Sequence, residues 1–400
     1  MKKLMILGAG IYQVPLIKRA KEMGHYVIVV SINGNYPGFP FADKIYYQDT
    51  TVVEKVIEIA KKEKIDGICT TGTDVALLTV GSVIEELKLT GISSKSALLA
   101  TNKLEMKQRF IENDVCTSKF MKCSSVNDAI HAFETLNKPV IFKAVDNSGS
   151  RGTIKVETIN DVRKAMEAVM NVTKLPYFIV EEFIEGIEFG AQAFIYNHEL
   201  SFILPHGDMV FCKDGKSVPI GHYVPYNISR NVMNDIHIQL ENSIKALEIN
   251  DSAINADFIL KDDKVYVLEI GARAGATCLP EMVSAFYGFD YYEQMINTAL
   301  GERPEFIYKE QTPCAVELII SEKSGILDHI EEVNITPNQK IDLSFDVKPG
   351  DEIRKFNEGN DRIGKVVIKG ETIEEAFDLL DKVKSGIELK FSKSIKLVEN

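Results

Sequence analysis

A lysine in an apolar run, followed by a loop with two glycines, could bind phosphate. The stretch from Pro139 to Val156 reads PVIFKAVDNSGSRGTIKV, with Lys143 in a strand-like segment and Gly149 and Gly152 in the loop. Backbone amides of a glycine loop can surround phosphate oxygens, and a nearby ammonium group supplies charge. The pattern predicts a phosphate-binding hairpin, although an edge strand with an exposed turn would also fit.

Two acidic residues farther along the chain indicate a metal site. The segment ADFILKDDKVYVLEIGARAG, from 256 to 275, carries Asp257 and Glu269 on the two arms of a predicted hairpin. If its loop has an odd number of residues centred on Asp263, the two acids face each other with Cβ atoms roughly 5 Å apart. Such close carboxylates repel unless a cation lies between them, and Mg²⁺ takes carboxylate and phosphate oxygens. A solvent-facing acidic hairpin is the alternative.

Two other glycine motifs are incomplete. Gly8 and Gly10 follow the first predicted strand, as in a dinucleotide fingerprint, but the third glycine position is Gln13. We interpret this turn as a tight strand–helix connection and keep a NAD(P)-dependent oxidoreductase as an alternative of a different class. The DGKS segment at 214–217 lacks the first glycine of a Walker loop, because Val210 occupies that position.

The elements that must position these residues follow from hydrophobic periodicity. The first ninety or so residues alternate strands and helices, which predicts a doubly wound parallel sheet. A second region begins near Ser93, and residues from about 312 form a last strand-and-helix segment. We expect strands at 177–183, 187–196 and 199–204, and interpret the polar stretch 205–229 as a long loop.

Size, charge and cysteine content limit the function classes. A chain of 400 residues is expected to form two or three domains. The net charge of -12 argues against nucleic acid as the main partner, because binding a phosphate backbone needs a basic surface. No apolar run approaches the roughly 20 residues that span a bilayer, so we expect no membrane partner. The six cysteines have no CxxC spacing, which favours reduced thiols and a cytoplasmic location.

Taken in order, these features resemble the ATP-grasp superfamily, in its biotin-carboxylase-like branch. They are a lysine on a helix, a lysine before a glycine loop, the run VEEFIEGIEF at 180–189, and the two hairpin acids with an arginine nearby. The resemblance covers roughly residues 1–300, and the tail resembles the C-terminal domains of amino-acid ligases and phosphoribosylglycinamide-synthetase-like proteins. It implies a pre-ATP-grasp Rossmann-like domain at 1–93, an α+β ATP-grasp domain at 94–305 with a mobile lid at about 115–187, and a small α+β domain at 306–400.

The resemblance also implies roles for individual residues. Lys103 and Lys143 would contact the phosphates of ATP, and Lys143 and Arg273 are the expected catalytic residues. Arg273 would meet the substrate carboxylate or the acyl phosphate. The other expected nucleotide-binding residues are Ser148, Gly149, Gly152 and Thr153 over the phosphates, Glu181, Glu182, Phe183 and Ile184 at the adenine, and Glu188 at the ribose. Asp257 and Glu269 would bind Mg²⁺, or Mn²⁺ in its place.

One position departs from the family pattern. The family usually has asparagine two residues after the second metal acid, and here that position is Gly271. The departure puts the usual two-metal geometry in question but leaves the nucleotide site unaffected.

The resemblance implies an ATP-dependent carboxylate–amine ligase that forms an amide through an acyl phosphate and releases ADP and phosphate. We expect small-molecule carboxylate and amine substrates and a homodimer. Phosphoribosylglycinamide synthetase, or a related purine-biosynthesis ligase, is the alternative within the family, with Arg230 and Arg273 as candidates for its phosphate. A non-catalytic nucleotide-binding protein is a further alternative. We expect specificity to reside in the stretch His206–Ser229, with Asp208, His222 and Tyr223, although an ordinary solvated loop would also explain these residues.

Overall fold

The computed structural model of the chain describes residues 1–149, 151–213, 216–309, 311–332 and 340–392. Ser150 of the predicted phosphate loop lies outside these residues, as do Asp214 and Gly215 of the DGKS segment. The chain forms two compact units. The first comprises Met1–Leu204, Asn227–Gly275 and Tyr292–Glu305, and the second comprises Pro205–Tyr226, Ala276–Tyr291 and Phe306–Asn400.

The first unit begins with alternating strands and helices. They are β1 (Lys3–Leu7), α1 (Val14–Glu22), β2 (Tyr26–Ser31), β3 (Lys44–Tyr47), α2 (Val53–Glu63), β4 (Gly67–Cys69), α3 (Leu77–Leu87) and α4 (Ser94–Thr101). The strands pair in parallel in the order β3-β2-β1-β4. Residues Val27 to Val30 of β2 are fully buried, as expected for a parallel sheet covered on both faces. The predicted doubly wound parallel sheet is confirmed.

Two antiparallel sheets complete the first unit. The next elements along the chain are α5 (Lys103–Glu112), β5 (Phe120–Cys123), α6 (Val126–Thr135), β6 (Val140–Lys143), β7 (Thr153–Val156), α7 (Val162–Met170), β8 (Phe178–Glu182), β9 (Ile187–Tyr196), β10 (Glu199–Lys213), β11 (Lys216–Val224), α8 (Arg230–Ala246), β12 (Ser252–Lys261) and β13 (Lys264–Gly271). Of these, β11 and residues 205–213 of β10 belong to the second unit. One sheet has the order β5-β8-β6-β7, and in the other β13, β12 and β9 are neighbours. Stacked rings of Phe142 and Phe178, 5.5 Å apart, lie in the core of the first of these sheets.

The second unit is built on an antiparallel sheet. Its further elements include α9 (Leu279–Tyr287), the first residue of α10 (Tyr291–Ala299), β14 (Cys314–Ile319), β15 (Gly325–Glu332), β16 (Ile341–Phe345), β17 (Glu352–Ile353), β18 (Gly364–Lys369), α11 (Ile373–Ser385) and β19 (Ile387–Phe391). The strand order is β10-β11-β14-β18-β16, beside a small sheet β17-β15-β19. Ala376, Leu380 and Val383 are buried at helical spacing, so one face of α11 packs into this core.

The interpretation of residues 205–229 as a long loop is wrong. Most of this stretch belongs to β10 and β11, which pair antiparallel from Gly207–Tyr223 to Lys213–Lys216. Pro219 and Gly221, which are uncommon inside strands, and a register shift between Met209 and Val210 obscure the alternating pattern. Because the alternation is obscured, the polar side chains on one face of this hairpin give the stretch the composition of a loop.

The structure also bears on the expectations for the cysteines and for membrane-spanning segments. The six cysteines are free thiols. Among the residues that the structure describes, no helix is both long enough and apolar enough to cross a membrane.

Candidate active site

The two predicted metal acids lie directly opposite each other on β12 and β13. Asp257 pairs with Glu269 in the antiparallel register. The reason differs from the predicted odd-numbered loop, because the turn has two central residues, Asp262 and Asp263, both with positive φ. A register shift beyond Asp257 leaves Leu268 as an extra residue and restores the opposition of the two acids.

Lys103 contacts one of these acids and the loop after β6. Its Nζ donates hydrogen bonds to Glu269 Oε1 at 2.9 Å and to the carbonyl of Asn147 at 2.7 Å. Burial alone would lower the pKa of Lys103, but Glu269 raises it above its ordinary value, with smaller contributions from Asp74 and Glu181. Lys103 therefore remains a cation in the first unit, adjacent to one of the predicted metal acids and to the predicted phosphate loop.

Asp257 is oriented by a chain of amides. Asn255 donates from Nδ2 to Asp257 Oδ1 at 3.2 Å and accepts from Gln192 Nε2 at 2.6 Å. Gln192 Oε1 accepts a hydrogen bond from the backbone amide of Gly275. This contact fixes which end of the Gln192 amide donates, and therefore the donor and acceptor roles along the chain of hydrogen bonds. Asn255 also lies directly opposite Gly271, the position of the missing asparagine. Its oxygen accepts from Gln192 and its amide donates to Asp257, so Asn255 connects these two side chains and helps to orient Asp257.

Arg273 forms an ion pair that the sequence did not indicate. Its Nη2 lies 2.7 Å from Asp74 Oδ2, and both side chains are largely buried. Asp74 Oδ1 and Arg273 Nε are buried without a hydrogen-bond partner. Burial alone would lower the pKa of Arg273, but Asp74 raises it, followed by Asp257 and Glu269. Arg273 therefore lies in the electrostatic field of both hairpin acids, and its role at the substrate carboxylate stays a prediction.

Lys143 shares a buried carboxylate with a second lysine. Glu181 Oε2 accepts from Lys143 Nζ at 3.0 Å and from Ser118 Oγ at 2.6 Å, and Lys107 Nζ lies 3.3 Å away. Burial lowers the pKa of Lys107 to about 8, although Glu181 acts in the opposite direction. Glu181 Oε1 has no hydrogen-bond partner. Among the residues that the structure describes, Glu181 is the one side-chain hydrogen-bond partner seen for Lys143, whose ammonium group has three donor hydrogens and so retains donors for a further acceptor.

The loop between β6 and β7 places its two described glycines in left-handed conformations. Gly149 has φ +64° and Gly152 has φ +72°. A Cβ at Gly152 would lie 2.7 Å from Val172 Cγ2 and 2.8 Å from Ala144 Cβ, whereas a Cβ at Gly149 would meet nothing within 4 Å. Gly152 therefore lies against neighbouring side chains at the base of the loop, whereas Gly149 is exposed and has free space around it.

The segment predicted to contact adenine and ribose begins at the end of β8. The amide of Glu182 donates to the carbonyl of Lys119, and the amide of Phe183 donates to that of Pro139, each at 3.0 Å. Ile184 is buried, and Glu188 is exposed on β9. The backbone here is thus held by both neighbouring strand ends, a fixed geometry suited to recognition through main-chain atoms.

The glycine turn near the N-terminus accommodates a side chain of the same turn. A Cβ at Gly8 would lie 3.0 Å from Gln13 Oε1, and one at Gly10 would lie 3.1 Å from it. Gln13 Nε2 in turn donates to the carbonyl of Thr71 at 2.6 Å, connecting this turn to the segment after β4. The glycines therefore make room for Gln13, as expected for a tight strand–helix connection.

Three residues of this site were missed by sequence reasoning, although each carries a signal. Asp74 follows β4 at the carboxyl end of a parallel strand, where open α/β sheets bind ligands. Lys107 lies one turn after Lys103 on α5, and therefore on the same face. Asn255 precedes Asp257 by two residues on a strand, so both side chains point to one side.

Two family models match the chain. The model described as the ATP-grasp domain matches residues 136–281. The model described as the L-amino acid ligase C-terminal domain 2 matches residues 317–392.

Solved structures resemble the whole chain. Phosphoribosylglycinamide synthetase from Anaerococcus prevotii is 34% identical, with a TM-score of 0.85 and coverage of 98% of this chain and 100% of that one. L-amino acid ligase from Bacillus licheniformis has a TM-score of 0.82 and 18% identity, covering 98% and 99%. At that identity the second likeness shows the fold alone.

A curated relative is much longer than this chain. The carbamoyl phosphate synthase large chain of Thermoanaerobacter pseudethanolicus is 25% identical over 377 residues, which cover 86% of this chain and 34% of the relative. This chain thus spans about a third of that relative's length. The ATP-grasp model and the 34% identical structure, which spans nearly the whole chain, together show the family, although the names of the similar proteins are those of different enzymes. The chain belongs to the ATP-grasp family of ATP-dependent carboxylate–amine ligases.

Proposed function

We propose that this chain joins a small-molecule carboxylate to an amine, using ATP to form an acyl phosphate and releasing ADP and phosphate. The carboxylate oxygen attacks the γ-phosphorus of ATP, and ADP leaves. The amine nitrogen then attacks the acyl carbon, phosphate leaves, and the nitrogen loses a proton. The observation that carries this proposal is the opposition of Asp257 and Glu269 beside Lys103.

ATP and Mg²⁺ are the proposed cofactors. The carboxylates of Asp257 and Glu269 fit Mg²⁺, because they face each other and are accessible, Asp257 being exposed and Glu269 partly exposed. When bound, Mg²⁺ would neutralise phosphate charge. Asn255 holds Asp257 in place through its hydrogen bond, and Lys103 holds Glu269.

The remaining residues act on the nucleotide and the carboxylate. Lys143, positioned by Glu181, would donate to phosphate oxygens, and Lys103 would do so beside the glycine loop. The backbone from Glu182 to Ile184 would meet the adenine, and Glu188 the ribose. Arg273, oriented by Asp74, would bind the substrate carboxylate and the acyl phosphate. Positioning and charge neutralisation then suffice, without a protein nucleophile.

We also propose the three-part division at 1–93, 94–305 and 306–400, with a lid at about 115–187. The boundary between Glu305 and Phe306 in the two compact units supports the last division. The left-handed glycines of the β6–β7 loop support a segment that can close over phosphates.

The test is ADP release with amino acids offered singly and in pairs. We expect the wild type to release ADP with at least one combination in the presence of ATP and Mg²⁺, and mass spectrometry to detect the amide. Glu269→Gln, which keeps the side-chain shape, should need far more Mg²⁺ and lose at least about a hundredfold in rate. Asp263→Asn in the hairpin turn is the control and should behave as the wild type.

Two results would overturn the proposal. One is a Glu269→Gln protein with the wild-type Mg²⁺ dependence, because the metal site would then be elsewhere. The other is ATP binding without ADP release across the whole panel, which would favour a non-catalytic nucleotide-binding protein.

Phosphoribosylglycinamide synthetase is the second candidate, favoured by the name of the 34% identical structure. Its substrate would need a cation for the ribose phosphate. Arg273, one of the two candidate residues, is proposed to bind the substrate carboxylate, so the ribose phosphate would need the other candidate, Arg230, which is exposed at the start of α8. Phosphoribosylamine with glycine belongs in the same panel, and ADP release with that pair alone would select this function.

A further inference from the structure

The hairpin of β10 and β11 in the second unit brings together two histidines and an aspartate that the proposed chemistry does not use. His206 and Asp208 are two residues apart on β10, so their side chains lie on the same face. His222 on β11 is the direct cross-strand partner of Asp208. On the opposite face the Tyr223 ring covers Gly207, where a Cβ would lie 2.1 Å from the ring. The three polar side chains therefore converge on one side of the hairpin.

The geometry of the three side chains is compact. His206 Nδ1 lies 3.0 Å from Asp208 Oδ1, and His222 Nδ1 lies 2.7 Å from the same oxygen. One donor atom from each residue can be chosen so that all three lie within 4.8 Å of one another. Ligands about 2.1 Å from a common ion are about 3.0–3.4 Å apart when the angles at the ion are near 90–110°. Each Nδ1 already lies within 3.0 Å of Asp208 Oδ1, so the two imidazole donors, at most 4.8 Å apart, must also approach each other to turn this hydrogen-bonded cluster into a coordination shell.

Hydrogen bonding alone leaves this cluster incomplete. The side chains of His206 and His222 are only 2% and 5% exposed, yet the Nε2 atom of each is buried without a partner. Asp208 is therefore the only group, among the residues that the structure describes, seen to hydrogen-bond either ring. The ring atoms that face Asp208 are the two Nδ1 atoms, so an ion at this cluster would be held by Nδ1 of each histidine and by the Asp208 carboxylate.

The donor set identifies the class of ion. Two imidazole nitrogens and one carboxylate oxygen suit divalent transition metals such as Zn²⁺, Fe²⁺, Co²⁺ and Mn²⁺, whereas Mg²⁺ prefers oxygen ligands. Asp208 is 29% exposed, more than either histidine, so the site is reached from the side of the carboxylate. We propose that His206, Asp208 and His222 bind one divalent transition-metal ion, which links β10 to β11.

The experiment measures metal binding to the full chain. The protein is freed of metal with EDTA, and Zn²⁺ and Co²⁺ are titrated by calorimetry and by the visible absorption of bound Co²⁺. We expect the wild type to bind one more ion per chain than the His222→Gln protein, whose glutamine keeps a polar side chain of similar length. The affinity of that ion should fall at least about tenfold in Asp208→Asn. Circular dichroism shows whether each variant is folded. If His222→Gln folds poorly, the milder Asp208→Asn substitution still tests the site.

Two controls locate the ion. His237→Gln alters a half-exposed histidine on α8 that pairs with Glu241, and should leave binding unchanged. Asp257→Asn removes a ligand of the proposed Mg²⁺ site, and should also retain the transition-metal ion. If folded His222→Gln and Asp208→Asn bind the same number of ions as the wild type with the same affinity, the proposal is overturned. It is equally overturned if Asp257→Asn abolishes the binding, because the ion would then belong to the other site.

Discussion

Arg273 and Asp74 form their ion pair in the space that a side chain at position 271 would enter. A Cβ on Gly271 would lie 3.4 Å from Arg273 Cζ and 3.6 Å from Asp74 Oδ1. Where the resemblance implies asparagine as a metal ligand, this chain has glycine, and the guanidinium and carboxylate lie just beyond it. Glycine at position 271 thus leaves room for the Arg273–Asp74 ion pair at the place where the family has asparagine.

Substitutions at Gly271 test this relationship. The distances to an added Cβ are ordinary van der Waals contacts, so we expect Gly271→Ala to retain ATP affinity and most turnover. The amide of Gly271→Asn extends farther and must displace the Arg273–Asp74 pair. We expect its ADP release to fall by at least about tenfold while ATP affinity stays within about twofold, a difference of about 1 kcal/mol or more between the two effects. Calorimetric ATP titration and ADP release measure both, and full turnover by Gly271→Asn would contradict the explanation.

Substitutions of the two lysines that contact Glu181 should differ in their effects on ATP affinity and on folding stability. Lys143 is 15% exposed and is the proposed phosphate contact, whereas Lys107 is 1% exposed and bonded to Thr117 and Ser118. Lys143→Ala should weaken ATP binding by about 1.5–3 kcal/mol, and it should also lower folding stability because Glu181 loses one of its partners. Lys107→Met should cost about 3–5 kcal/mol of folding stability, more than Lys143→Ala, because Lys107 is the more deeply buried partner of this ion pair.

ATP titration and urea unfolding of both proteins check this prediction. Glu58→Gln, which breaks an exposed pair with Lys55, is the stability control and should change the unfolding free energy by less than about 1 kcal/mol. An unchanged ATP affinity in Lys143→Ala would remove that residue from the nucleotide site.

The fold was predictable where periodicity is strong. Alternating strands and helices predict the parallel sheet, and the hairpin within 256–275 was also predicted, although its turn has the two central residues Asp262 and Asp263 instead of an odd number centred on Asp263. The exact pairing of Asp257 and Glu269 was right for the wrong reason, because a two-residue turn and an extra residue at Leu268 together produce it. A bulge depends on how two strands pair, so a single sequence does not reveal it.

The parts that sequence reasoning missed depend on contacts between distant segments. Asp74 and Arg273 are 199 residues apart, and only the folded first unit brings them together. Lys107 reads as one more polar residue of a helix until Glu181 is placed beside it. At β10 and β11, polar side chains on one face and Pro219 within the strand concealed a hairpin. Burial and long-range pairing, rather than local propensity, define these features.

Glu181 should make folding stability depend on acid pH. Burial alone would raise the pKa of Glu181, but Lys107, Lys143 and the Ser118 hydroxyl lower it to about 2, below the ordinary 4.5. A carboxyl whose pKa is lower in the folded state than in the unfolded state stabilises the fold at pH values above 4.5. This contribution decreases as the pH falls from 4.5 towards 2, because the unfolded state then binds the proton first.

Glu181→Gln provides the comparison, since glutamine does not titrate. At pH 7 the wild type should be the more stable protein, because the variant leaves Lys107 buried beside a neutral group. The difference in unfolding free energy should shrink by roughly 1 kcal/mol between pH 7 and pH 4. Urea unfolding of both proteins at several pH values measures this difference, in which the titration of groups that do not interact with Glu181 cancels. The same pair is also compared in the Lys107→Met background, because the pKa of Lys107 depends on Glu181 and its titration would differ between the two proteins. A difference that stays constant from pH 7 to pH 4 would show that Glu181 is not held as a carboxylate by its two lysines.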